Sequence, residues 1–143
     1  MTNKNQYGKQ RKYRRVIFFS ILTFGLYYLF YQWWLFRDLQ EHFLTTYEEE
    51  TEAIPTRNNP TTMLIFLIFF PFYPIYLKYE LLHRHILTSS VPTETNCPTA
   101  LDAFLSIVLL CFCTFGIVPI IYEYRWQQAF NEHISAHRKL SEA

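Results

Sequence analysis

Three charge-free stretches divide this chain, and glycine or proline interrupts each near its middle. Residues 16–36 run for 21 positions without a charge, and residues 58–77 and 103–122 run for 20 each. A hydrocarbon core of about 30 Å asks for about 20 apolar residues as helix. A helix on a soluble core instead shows polar residues every third or fourth position, whereas residues 63–72 are apolar all round. Three such runs in 143 residues predict an all-α membrane protein with three hydrophobic helical segments. The near-zero mean hydropathy of -0.01 hides this, because the polar residues are segregated rather than interleaved.

The first and third runs are related. Thr23-Phe24-Gly25 and Thr114-Phe115-Gly116 stand 91 positions apart, Tyr31 and Tyr122 each follow the glycine by six, and Glu41-His42 is matched by Glu132-His133. Fixed spacing over 20 residues points to one supersecondary unit used twice. Aligning Pro74 with Pro119 makes the middle run a degenerate third copy, with Pro71 at its break. The helical segments are expected at about 14–47, 61–87 and 99–140, in one membrane domain preceded by a basic, disordered tail over residues 1–13. Thr61 or Thr62 is the expected cap of the second segment, and Thr99 with Asp102 resembles a capping box for the third. Each break predicts either a kinked span or a re-entrant hairpin, and kinked spans are favoured because Pro and Gly commonly kink helices.

Charge placement orients the chain. Lys4, Lys9, Arg11, Lys12, Arg14 and Arg15 crowd ahead of the first run, so the N-terminus is expected to be cytoplasmic and close to anionic lipid. No second basic patch supports a nucleic-acid partner. Cys97, Cys111 and Cys113 form neither a paired framework nor a Cys-x-x-Cys site, and are read as small hydrophobes.

At Thr23-Phe24-Gly25-Leu26-Tyr27, followed by Phe30-Tyr31 and Trp33-Trp34, the chain resembles a widespread bacterial family of small membrane proteins defined as a domain of unknown function. The resemblance covers about 25 residues per copy. It implies a bacterial inner-membrane setting, assigns no activity, and carries over no functional residue.

No phosphate-binding glycine loop, nucleophile elbow or nucleophilic Ser/His/Asp cluster is present, so the chain is not expected to be an enzyme. His133 and His137 at i, i+4 have a spacing that can ligate zinc, and His83-x-His85 adds two more histidines; nothing in the sequence makes them converge. No metal, cofactor or small-molecule substrate is therefore assigned, and these residues are expected to face headgroups. Lys78, Glu80, Glu123 and Arg125, set among Tyr and Trp, are expected in the same interfacial belt rather than in an ion pair between segments. The expected partners are the lipid bilayer and further copies of the chain, in a structural homo-oligomer; a pore and a re-entrant membrane-shaping scaffold are the alternatives. Replacing Gly25 or Gly116 by Leu should disrupt folding, while Gly8→Leu should be silent.

Overall fold

The computed structural model describes residues 8–47, 59–91, 93–94, 96–110, 114 and 116–142. Among these the chain is all-α, with α1 (Tyr13–Leu22), α2 (Leu26–Tyr47), α3 (Pro60–Phe69), α4 (Phe72–Thr88), α5 (Ala100–Leu110) and α6 (Ile117–Glu142). No described helix is long and apolar enough to cross a membrane. The three segments are instead three helix pairs, in which an apolar helix of 10, 10 or 11 residues precedes a longer one. The chain divides into two compact units, Met1–Phe69 and Phe70–Ala143.

In the first unit the break is a reversal and not a kink. Gly25 N–H donates to the Ser20 carbonyl at 2.7 Å and Phe24 N–H to that of Ile21 at 3.2 Å. These are the two bonds of a Schellman motif, which closes a helix C-terminus. Phe24 and Gly25 have φ of +50° and +89°, and two successive left-handed residues turn the chain back. The Thr23 hydroxyl donates to the Phe19 carbonyl at 2.8 Å and accepts Tyr27 N–H at 2.9 Å, satisfying one backbone group on each side of the turn. The expectation of a kinked span fails here for that reason. Tyr13 and Tyr31 would lie about 27 Å apart along one helix, yet their ring centroids are 6.0 Å apart.

Arg11 locks the open end of this hairpin, holding Asp38 Oδ2 through Nε at 2.8 Å and Nη2 at 2.7 Å and lying 5.4 Å over the Trp34 ring. Burial pushes the Asp38 carboxyl above its usual range and Arg11 opposes the shift. Arg11→Met should therefore destabilise the first unit by about 2 kcal/mol, the scale of a hydrogen bond to a charged group. Arg14→Met, at an exposed site, should leave the thermal midpoint unchanged. Residues 1–7 of the expected tail lie outside the described residues.

α3 packs on α2, where Trp33 Nε1 donates to Thr61 Oγ1 at 3.4 Å. The cap of α3 is Asn59, not Thr61 or Thr62: Asn59 Oδ1 accepts Thr61 N–H at 2.9 Å. Pro60 then occupies the first helical position, where its missing N–H and fixed φ suit the helix.

The second unit contains α4, α5 and α6. Thr99 caps α5 as expected, its hydroxyl accepting Asp102 N–H at 3.1 Å. Pro74 and Pro119 are each the third residue of their helices, α4 and α6. First-turn N–H groups have no intrahelical acceptor, so proline costs nothing there, and these prolines start helices instead of kinking them. Pro71 stands immediately before α4 with φ −59°. Phe104 of α5 lies edge-on to Phe72 and Tyr76 of α4, with centroids 6.0 and 6.2 Å away. Buried Ala100, Ala103 and Ala129 leave room for close helix approach. α5 folds back beside α6, since Asp102 and Arg125, 23 positions apart, line one cavity.

The second glycine break repeats two bonds of the first. Ile117 N–H donates to the Thr114 carbonyl at 3.0 Å, as Leu26 N–H does to that of Thr23 at 3.1 Å. Val118 N–H reaches Thr114 Oγ1 at 3.3 Å, and Gly116 has φ +80°. Phe115, Cys111 and Cys113 lie outside the described residues.

Candidate metal centre and buried ion pair

The polar interior of the second unit lies along α4 and α6. Lys78, wholly buried on α4, forms a short ion pair with Glu123 of α6. Tyr79 donates its hydroxyl to Glu123 Oε1 at 3.3 Å, and Trp126 Nε1 donates to the Lys78 carbonyl at 3.2 Å. The ammonium lies 5.2 Å from the Tyr79 ring centroid and 5.3 Å from that of Trp126, within cation–π range. The expected interfacial belt does not describe Lys78 and Glu123. They sit on the inner faces of two packed helices, where charge must be paired. Glu80 makes a loose 4.0 Å pair with Arg84, and Arg125 is exposed.

Two helical turns further along, three histidines converge. His85 lies in the last turn of α4, while His133 and His137 stand on successive turns of α6. One ring nitrogen of each falls within 4.8 Å of those of the others, and Nε2 of His133 and of His137 are 3.1 Å apart. The His85 ring meets His133 edge-on at 4.9 Å and lies nearly parallel to His137 at 6.2 Å. On its other side His133 Nδ1 is 3.0 Å from the Thr93 hydroxyl. The loop carrying Thr93 is itself fixed to α6, because Glu94 N–H donates to Glu132 Oε1 at 2.7 Å. Burial is the main cause that holds His85 down to about 4 and His133 to about 3, so both are neutral at pH 7 and can offer lone pairs. His83 points elsewhere, with Nδ1 3.2 Å from the Cys97 carbonyl. His42, matched to His133 by the repeat, lies buried in the first unit.

The i, i+4 spacing of His133 and His137 was the visible half of this cluster. The missing half is His85, from another helix, and no spacing in the sequence signals it. A cavity of about 490 Å³ opens among Cys97, Thr99, Asp102, Tyr122, Arg125 and Gln128. Burial pushes the Cys97 thiol up to about 12, consistent with a structural thiol and not a reactive one. Thr23, Gly25, Thr114, Gly116, Pro71, Pro74 and Pro119 all lie at helix boundaries or first turns and contribute no group to the histidine cluster. Comparison with protein-family models, curated proteins and solved structures finds no match to this chain.

Proposed function

We propose that the chain is a non-enzymatic, membrane-inserted scaffold whose glycine-turned hairpins enter one leaflet as wedges. Phe24 carries this reading: it is 100% exposed while held at φ +50°. A non-glycine residue in the left-handed region costs about 1–2 kcal/mol, and strain of that kind persists chiefly where a function uses it. Phe18, Ile21, Leu22, Leu26 and Phe30 surround this tip and are also exposed. An apolar patch of that kind needs a cover, and a helix of 10 residues reaches about 15 Å, half a hydrocarbon core. Exposed Lys9, Lys12, Arg14 and Arg15 lie at the opposite end of the hairpin, where anionic headgroups would attract them. The second glycine turn is flanked in the same way by exposed Leu105, Leu109, Ile117, Ile120 and Ile121.

Phe24→Gly separates conformation from lipid contact. It should raise the thermal midpoint by relieving φ strain, yet weaken partition into anionic vesicles by about 10- to 100-fold, the equivalent of one buried aromatic ring. Flotation with vesicles measures the second effect. Unchanged partition would remove the wedge; if the same variant dissociated an oligomer instead, the tip would be a contact between copies of the chain.

A further inference from the structure

We propose that His85, His133 and His137 form a binding site for a first-row divalent transition metal of the zinc type, with a fourth position completed by water or another donor. The donor set is the first reason. Three imidazoles suit zinc, cobalt, nickel or copper and offer nothing to calcium or magnesium, which take oxygen ligands. The geometry is the second. Tetrahedral zinc with Zn–N near 2.0–2.1 Å places its ligand nitrogens about 3.3 Å apart. The 3.1 Å separation of His133 Nε2 and His137 Nε2 is close to that value, and the third ring's nitrogen lies within 4.8 Å.

Thr93 supplies the third reason. A metal-ligating histidine almost always donates its remote N–H to an oxygen, which fixes the tautomer and the ring orientation. Thr93 Oγ1, 3.0 Å from His133 Nδ1, can accept that proton and leave Nε2 as a lone pair facing His137. The helix register holds the ligands without assistance: residues at i, i+4 share a face, and His85 reaches them from the last turn of α4. The competing explanation is a plain N–H···N hydrogen bond between His133 and His137, which would make the cluster indifferent to metal.

The test uses the full chain in mild detergent, stripped with a chelator and dialysed against cobalt(II), then against zinc(II). The expected result is one cobalt per chain with the visible bands of a four-coordinate nitrogen-rich site and no thiolate charge-transfer band. Zinc should displace the cobalt and raise the thermal midpoint. His85→Gln, His133→Gln and His137→Gln should each weaken binding by more than the roughly 10- to 100-fold that outer partners cost, while Thr93→Val should fall within that range. His83→Gln should bind like the parent. Absence of cobalt binding by the parent chain overturns the site, whatever the variants do. Binding that survives all three glutamine substitutions, or that His83→Gln abolishes, overturns it equally. Thr93→Val keeps the cluster itself intact, so it reports on the site even where a histidine variant fails to fold.

Discussion

Lys78→Met should destabilise the second unit by about 3–5 kcal/mol, the cost of leaving one partner of a buried pair alone. The charge left behind is Glu123, which is buried and would retain only the Tyr79 hydroxyl among the partners described above, at 3.3 Å. Removing both charges should behave differently. Lys78→Met with Glu123→Leu exchanges a desolvated pair for apolar volume, and such exchanges are often neutral or stabilising by about 1–4 kcal/mol. Denaturant unfolding followed by hydrogen exchange in α4 and α6 measures both. A double variant no better than the single one would mean that the pair stabilises by more than mutual neutralisation. Glu80→Gln supplies the contrast, because its 4.0 Å contact with a largely exposed Arg84 should be worth under about 1 kcal/mol.

Gly25→Leu and Gly116→Leu should each cost about 1–3 kcal/mol through the backbone alone. At φ of +89° and +80° a side chain is strained, yet an added Cβ at either position meets nothing within 4 Å. The sequence left two reasons for glycine open, dihedral freedom and close helix approach; the open space around both positions leaves the dihedral. Asn tolerates left-handed φ far better than Leu, so Gly25→Asn should lose less than half as much. Equal losses from Asn and Leu in thermal unfolding would contradict this. Gly8 cannot serve as the silent control that its polar surroundings suggested, because it too has positive φ, +94°, and is buried.

Helix limits were legible in the sequence because they follow local chemistry. Breaks at Gly25 and Gly116, a start near Pro71, and the Thr99–Asp102 cap all depend on residues within one turn of each other. The sense of each break was not legible. Whether Thr-Phe-Gly kinks or reverses the chain depends on φ at Phe24 and Gly25 together, and Phe at a left-handed position is not a residue preference that a pattern reveals. The polar interior was hidden for another reason. Lys78 with Glu123, and His85 with His133, are partners across 45 and 48 positions; Lys78 and Glu123 each sit among aromatic residues in the sequence, and the two histidines just beyond apolar segments, as interfacial residues do. Only the packing of α4 on α6 distinguishes an inward face from a headgroup-facing one.

The central claim is that each glycine break returns the chain to the side from which it came. Single cysteines in a background lacking Cys97, Cys111 and Cys113, labelled in sealed vesicles with a membrane-impermeant maleimide, test it most directly. Lys12→Cys and Glu41→Cys bracket the first hairpin, and Asp102→Cys and Gln128→Cys bracket the second; all four positions are exposed. Reversal at the glycines predicts that the members of each pair label from the same face. Members of a pair labelling from opposite faces would mean that the segment spans the bilayer, and the hairpin account would be wrong.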